Sequence, residues 1–434
     1  MNTIRRLLLT FIFVAGIACI MFGQSIKLSQ SNESGIYKKG ELIEMKVLLE
    51  NTDADSITVK IRKNHSREVV TQKVQYPGKE VTVFNEAFDK PSTLIVEVRA
   101  GQNSSSLGAI VAPGDFKPGT KRPKDFDKFW KAEKKALKSL PMEIKQVPVE
   151  DFESGYICSN VEINCTGPKP ARGYYAKPKE AKAKSLPIVL VVHAAGVSGS
   201  WCLSKPENAL KYAKMGKGAL AFDLNAHGML NGQAQEYYQD LEKGELKNYF
   251  YQGVEDRYEF YFRGMYLRLM RTLDFLTSQP EWDGKRILVV GESQGGGQSL
   301  VAAGLDHRVS AVVATVPAMC NFYGTFENAI GGWPNPMATN NDKEKMLETI
   351  PYFDAAHILK GSKATLVTEI GLIDTTCPSY SVYAAVNQAK GEKVILAVPY
   401  REHQMNPMRH KDHYKEWDQT VNKTKQDFIA DYLK

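Results

Sequence analysis

The sequence predicts two folded parts in series: a small all-β sandwich, then a mostly parallel α/β sheet covered by helices on both faces. Three observations predict it. Residues 25–112 carry short alternating segments separated by turns, with no helical period. From Pro187 onward, fully apolar strands alternate with helical segments, the pattern of a sheet buried on both sides. Between them, residues 113–124 are rich in Pro, Gly and Lys and read as a linker. At 434 residues the chain is long enough for two cores.

The first element is a targeting segment. Arg5 and Arg6 precede the apolar run Leu7 to Phe22, and Gly23-Gln24-Ser25 follows. This predicts a secretory signal peptide over residues 1–23 and export to the periplasm or the medium. A membrane anchor competes, but the run is short for a bilayer span. Gly16-Ile17-Ala18-Cys19 also resembles a lipoprotein processing box, with Gly where Leu is usual, so lipid anchoring at Cys19 is a third reading.

Five strand candidates follow: residues 42–49, 56–61, 69–74, 81–84 and 93–98. None carries a catalytic constellation. After the linker, residues 125–140 read as an amphipathic helix and 156–165 and 172–177 as strands. Further strands are expected at 187–192, 217–222, 287–290, 309–316, 365–370 and 394–398. A long helix is expected over 256–276, with Phe262, Met265, Leu269, Leu273 and Leu276 as its core stripe.

The net charge of +7 is spread along the chain without a dense basic run, which argues against nucleic acid as a partner. The six cysteines (19, 158, 165, 202, 320 and 377) include no C-x-x-C pair, so neither a zinc knuckle nor a redox motif is indicated.

The chemistry is concentrated in Gly291-Glu292-Ser293-Gln294-Gly295, which joins the apolar strand Ile287–Val290 to a helical segment, residues 298–305. Strand, sharp turn and helix with a serine at the apex is a nucleophile elbow, and it makes the second part an α/β-hydrolase. A Cβ at position 291 or 295 would crowd the turn. A serine hydroxyl needs a base, and the base an orienting acid. In this architecture the acid follows the serine and the histidine comes last. Asp374 lies just past the 365–370 strand, at the carboxyl edge of the sheet, although a helix-capping aspartate would also fit there. His403 follows the last strand. His410 and His413 are rivals, but they begin the C-terminal helix and lack a zinc-binding glutamate motif. Two backbone N–H groups should meet the developing oxyanion: that of Gln294 and, from the loop after residue 192, that of Ala195. His193 reads either as a further polar group of the site or as a buried structural histidine.

From Arg122 to the C-terminus the chain resembles the acetyl xylan esterase / cephalosporin-C deacetylase family, the seventh carbohydrate esterase family. The resemblance rests on ordered motifs: Arg122-Pro123-Lys124-Asp125-Phe126-Asp127-Lys128-Phe129-Trp130, Phe262-Arg263-Gly264-Met265-Tyr266, Pro280-Glu281-Trp282-Asp283, Gly291 to Gly297, Tyr352-Phe353-Asp354, Gly371-Leu372-Ile373-Asp374 with Cys377-Pro378, and Tyr383-Ala384-Ala385-Val386-Asn387. It implies Ser293 as nucleophile, Asp374 as acid and His403 as base. It also implies removal of acetyl groups from xylan fragments or other small acetylated molecules, no metal or cofactor, and assembly into a homo-oligomer, often a ring-like hexamer. The chain departs from the family in two loops. His193-Ala194-Ala195 stands where His-Gly-Tyr is usual, and Asp223-Leu224-Asn225-Ala226-His227-Gly228 where Arg-Gly-Gln-Gly is favoured. The β domain in front is absent from the typical short members.

The expected function is therefore serine-dependent deacetylation of carbohydrate esters. The altered loops leave room for a peptidase or another carboxylesterase on the same fold. A third reading is an inactive hydrolase domain that serves a glycan-binding sandwich as a scaffold.

Overall fold

The computed structural model describes residues 25–434 except 53, 151, 327 and 409, and of residue 412 only the backbone. The predicted signal peptide and Cys19 lie outside the described residues. Among the described residues no helix is long and apolar enough to cross a membrane.

Among the described residues, eight strands make the N-terminal unit: β1 (Ser25–Gln30), β2 (Ile36–Tyr37), β3 (Leu42–Glu50), β4 (Ser56–Lys63), β5 (Val70–Gln75), β6 (Val81–Ala87), β7 (Ser92–Ala100) and β8 (Asn103–Val111). They form a three-stranded sheet, β1-β3-β6, and a five-stranded one, β2-β8-β7-β4-β5. The period of two in β3 sends Ile43, Met45, Val47 and Leu49 inward, where they share a core with Leu94, Val96 and Val98 of β7.

The second unit is built, among the described residues, on nine strands: β9 (Ile144–Pro148), β10 (Tyr156–Ile163), β11 (Ala171–Pro178), β12 (Leu186–Val192), β13 (Leu220–Asn225), β14 (Trp282–Glu292), β15 (Ala311–Thr315), β16 (Thr365–Gly371) and β17 (Lys393–Val398). Their order is β17-β16-β15-β14-β12-β13-β11-β10-β9. The six from β17 to β13 run parallel, and the remaining three are antiparallel. Six helices matter below: α1 (Phe126–Ser139), α2 (Pro206–Ala213), α3 (Tyr261–Thr277), α4 (Gln294–Leu305), α5 (Ser379–Val386) and α6 (Lys423–Tyr432). Residues of α3 and α4 fill the core on one face of the sheet, while Ile429 of α6 and Leu433 just beyond it pack with Val189, Leu288 and Val313 on the other. Strands buried on both faces read as unbroken apolar runs, which is why they are visible in sequence.

The structure corrects several boundaries. The long helix begins at Tyr261 rather than at 256: the Tyr261 N–H donates to the Gln252 carbonyl (3.0 Å), nine residues back, and the segment between is folded into turns. Strands β1, β2, β8 and β9 are additional to the expected set. Every residue of β9 is exposed, so it carries no alternation. The linker does not hang free. Asn387 Nδ2 donates to the carbonyls of Pro113 and Phe116, and the Gly119 N–H donates to Asn321 Oδ1. The cysteines at 158, 165, 202, 320 and 377 are all free thiols.

Candidate active site

The elbow follows from crowding. A Cβ on Gly291 would lie 2.4 Å from the carbonyl carbon of Gly295, and one on Gly295 would lie 2.3 Å from the Val192 oxygen. β14, β12 and the start of α4 approach closely enough that only glycine fits at both places. Ser293 sits between them at φ 55°, ψ −117°, a conformation that L-residues rarely hold. The surroundings impose it: the Ser293 N–H donates to Thr315 O (2.9 Å), and its carbonyl accepts from the N–H groups of Gly297 and Ala318 (2.9 Å each).

The carboxyl edge of the sheet brings three distant side chains into one line. Ser293 Oγ lies 2.9 Å from His403 Nε2, and His403 Nδ1 lies 2.8 Å from Asp374 Oδ2. Asp374 is fully buried, and its other oxygen, Oδ1, accepts from the N–H groups of Thr376 and Cys377 (2.8 Å each). Those two donors fix the carboxylate, leaving Oδ2 for the imidazole. The ring that meets the serine is His403, not either rival. The His410 Nε2 is 3.6 Å from the Glu402 carboxylate, and His413 stacks on Tyr400 with ring centroids 4.1 Å apart. Asp374, Cys377 and His403 could in principle present ligand atoms to a metal, within 4.8 Å of one another. Here the imidazole is committed to the carboxylate, and burial pushes the Cys377 thiol well above its ordinary range, so it stays protonated.

Gln294 opens α4, so its backbone N–H has no carbonyl one turn back to meet. Its buried side chain is held by Tyr249, whose hydroxyl donates to Gln294 Oε1 at 2.5 Å. Ala195 lies on the loop after β12, whose first residues abut Gly295. This loop is pinned from two directions. His193 Nε2 pairs with Asp223 Oδ1 at 2.5 Å. Burial opposes a charge on His193, but Asp223 more than offsets it and raises the proton affinity. His193 is therefore a structural partner of β13. On the other side, His227 Nε2 lies 2.8 Å from Gly196 O, and its Nδ1 is 2.7 Å from the Tyr261 hydroxyl. Burial lowers the His227 pKa to about 3. The ring is neutral, donates from Nε2 and accepts at Nδ1.

Sequence reasoning missed a buried charge network behind the elbow. Glu369 of β16 is fully buried. It accepts from Arg401 Nε (2.8 Å) and Trp417 Nε1 (2.8 Å), and pairs with Lys425 of α6. Arg401 also reaches Glu292 (3.3 Å), next to Ser293. A cavity of about 300 Å³ is lined by Glu292, Arg401, Trp417 and Lys425, and its lining includes neither Ser293 nor His403. Burial pushes the Glu369 carboxyl up, but Lys425 and Arg401 outweigh it and hold it below the ordinary 4.5. Its contribution to stability is thus present above that value and is lost as the pH falls through the lowered one. Glu369→Gln leaves the buried Lys425 without a counter-charge and Arg401 with only the exposed Glu292, and is expected to destabilise the fold by about 3–5 kcal/mol. The denaturant midpoint at neutral pH measures it, and an unchanged midpoint would show the network to be dispensable.

The family model Acetyl xylan esterase (AXE1) matches residues 114–421. The chain is 29% identical over 420 residues to the acetyl esterase Axe7A of Xylanibacter ruminicola, covering 92% of this chain and 93% of that one. An acetyl xylan esterase structure from a Paenibacillus species aligns with TM-score 0.60 and 27% identity, covering 74% of this chain and 98% of its own. Acetyl xylan esterase 1 from a Thermoanaerobacterium species, at 19% identity and TM-score 0.57 over 74% of this chain and 98% of its own, shares the fold. Spanning well over half its length on that family model, the chain belongs to the acetyl xylan esterase family and is a carboxylic ester hydrolase.

Proposed function

We propose that Ser293, His403 and Asp374 remove acetyl groups from carbohydrate esters through an acyl-enzyme. Ser293 Oγ attacks the ester carbonyl carbon while His403 Nε2 takes its proton. The resulting oxyanion is met by the N–H groups of Gln294 and Ala195. His403 then gives the proton to the departing sugar oxygen, which leaves as a hydroxyl. Water, deprotonated by His403, attacks acetyl-Ser293 and releases acetate. Asp374 keeps the proton-bearing Nδ1 oriented and stabilises the imidazolium. The observation that carries this reading is the unbroken relay from Ser293 Oγ through His403 to Asp374. Acetate release from acetylated xylan, xylo-oligosaccharides, pectin and simple esters tests it. An acyl-length optimum beyond butyrate would instead point to a longer-chain esterase.

Trp201 supports a sugar-bearing substrate. Its indole is 64% exposed, yet Nε1 donates to the Ala195 carbonyl at 2.9 Å, on the oxyanion loop. Gly199 leaves room for it, since a Cβ there would lie 2.5 Å from the ring. An exposed indole tied to the Ala195 carbonyl offers a flat apolar face to a pyranose ring. Trp201→Ala is expected to raise KM for acetylated xylo-oligosaccharides about tenfold while leaving kcat/KM for p-nitrophenyl acetate within about twofold. Equal losses on both substrates would remove the platform from the account.

The leader read in residues 1–23 supports export, and N-terminal sequencing of the mature protein tests it.

A further inference from the structure

The sandwich reaches into the site through His65. This residue sits in the turn after β4, is fully buried, and holds φ 48°, directly after Asn64 at φ 54°. Two successive non-glycine residues in the left-handed region are costly and persist only where contacts impose them. Here the contacts are dense. The Asn64 N–H donates to Thr93 O (2.7 Å), the Thr93 N–H to Asn64 Oδ1 (3.1 Å) and the Ile330 N–H to His65 O (2.9 Å). The imidazole is then aimed across the domain boundary. Its Nε2 lies 3.2 Å from the backbone oxygen of Asp374, and its Nδ1 lies 2.8 Å from Thr93 Oγ1.

The tautomer follows from the partners. A carbonyl only accepts, so Nε2 carries the proton, and Nδ1 accepts from the threonine hydroxyl. Burial lowers the pKa to about 3, so the ring stays neutral and keeps this arrangement at working pH. The chemistry repeats that of His227, which holds Gly196 of the oxyanion loop with a hydroxyl behind it. The sandwich also grips the stretches that lead into Asp374 and into His403. The Gly108 N–H donates to Pro399 O (2.8 Å), four residues before His403, and a Cβ on Gly108 would lie 2.5 Å from Leu372 O.

We propose that His65 is a positioning residue for the catalytic acid: the N-terminal sandwich, through the His65 Nε2–H bond to the Asp374 carbonyl, holds the acid loop where Oδ2 meets His403. The proposal rests on the assignment of Asp374 as the acid. It gives the sandwich a role in turnover rather than in glycan capture.

The test uses the full-length chain and p-nitrophenyl acetate, with rates normalised to sites titrated by a fluorophosphonate. His65→Phe keeps a ring but removes the donor, and His65→Gln places an amide N–H near the position of Nε2. His65→Phe is expected to lower kcat per titrated site about tenfold with KM within about twofold, and His65→Gln to restore kcat to within about threefold. His65→Asn, whose shorter side chain places its amide near the position of Nδ1 and short of the Asp374 carbonyl, is expected to slow turnover in the same way and serves if His65→Phe yields few titratable sites. Wild-type kcat per site in His65→Phe or in His65→Asn, or a His65→Gln protein as slow as His65→Phe, overturns the proposal. A merely structural role would reduce the number of titratable sites and leave the rate per site unchanged. Ser293→Ala run alongside separates the two levels: activity in that protein would remove the serine mechanism itself, whereas a normal His65→Phe removes only the brace.

Discussion

Ser293→Ala is expected to lower kcat for p-nitrophenyl acetate by about 10⁴- to 10⁶-fold and to abolish fluorophosphonate labelling, with the fold intact. The size of the effect follows from what the hydroxyl does alone. It lies 2.9 Å from His403 Nε2, and without it the imidazole has no serine proton to take. The fold should survive because the elbow is held by main-chain groups. The Ser293 N–H and carbonyl make three backbone hydrogen bonds, and the side chain makes no cap bond to α4. Alanine carries the same Cβ into the same φ of 55°, so the strain is unchanged. The residual rate would measure what the oxyanion donors and substrate positioning supply by themselves. Acetate release at the wild-type rate from Ser293→Ala would end the acyl-enzyme mechanism.

What was legible in the sequence had a local cause. The elbow could be read because steric crowding dictates Gly291 and Gly295 within five residues of chain. Strands β12, β14 and β15 announced themselves because burial on both faces demands continuous apolar runs. Asp374 and His403 were found from their places at strand ends, since a parallel sheet gathers such ends at one edge. What escaped notice had a non-local cause. Asp374 and His65 are separated by 309 residues, and nothing in the pattern around Asn64-His65 points to a partner in another domain. His227 stood in a loop flagged only as a departure from the family. Its bond to Gly196 depends on how β12 and β13 lie side by side, which no short window contains. Glu369 was read as part of an apolar strand, and only the packing of α6 against the sheet brings Lys425 to it. Strand β8 was lost for a different reason: its first residues, Asn103 to Ser106, have turn composition and are organised only by pairing with β7.

Asp374→Asn should be nearly as damaging as loss of the serine, and the reason lies in a pair of amides. Asp374 Oδ1 is committed to the N–H groups of Thr376 and Cys377, both of which require an acceptor. An asparagine here must therefore keep its oxygen on them and turn its NH₂ toward His403. That amide donates to Nδ1, which must then be the acceptor, so the imidazole proton moves to Nε2. The nitrogen facing Ser293 becomes a donor and can no longer take the serine proton. The expected loss is about 10⁴-fold in kcat with an unchanged KM, because the wrong tautomer is imposed rather than the geometry lost. An Asp374→Asn protein within tenfold of wild type, with its unfolding midpoint preserved, would mean that the carboxylate does not control which imidazole nitrogen carries the proton. In that case the brace from His65 would have no acid to position, so this substitution tests both levels of the mechanism from the same pair of backbone hydrogen bonds.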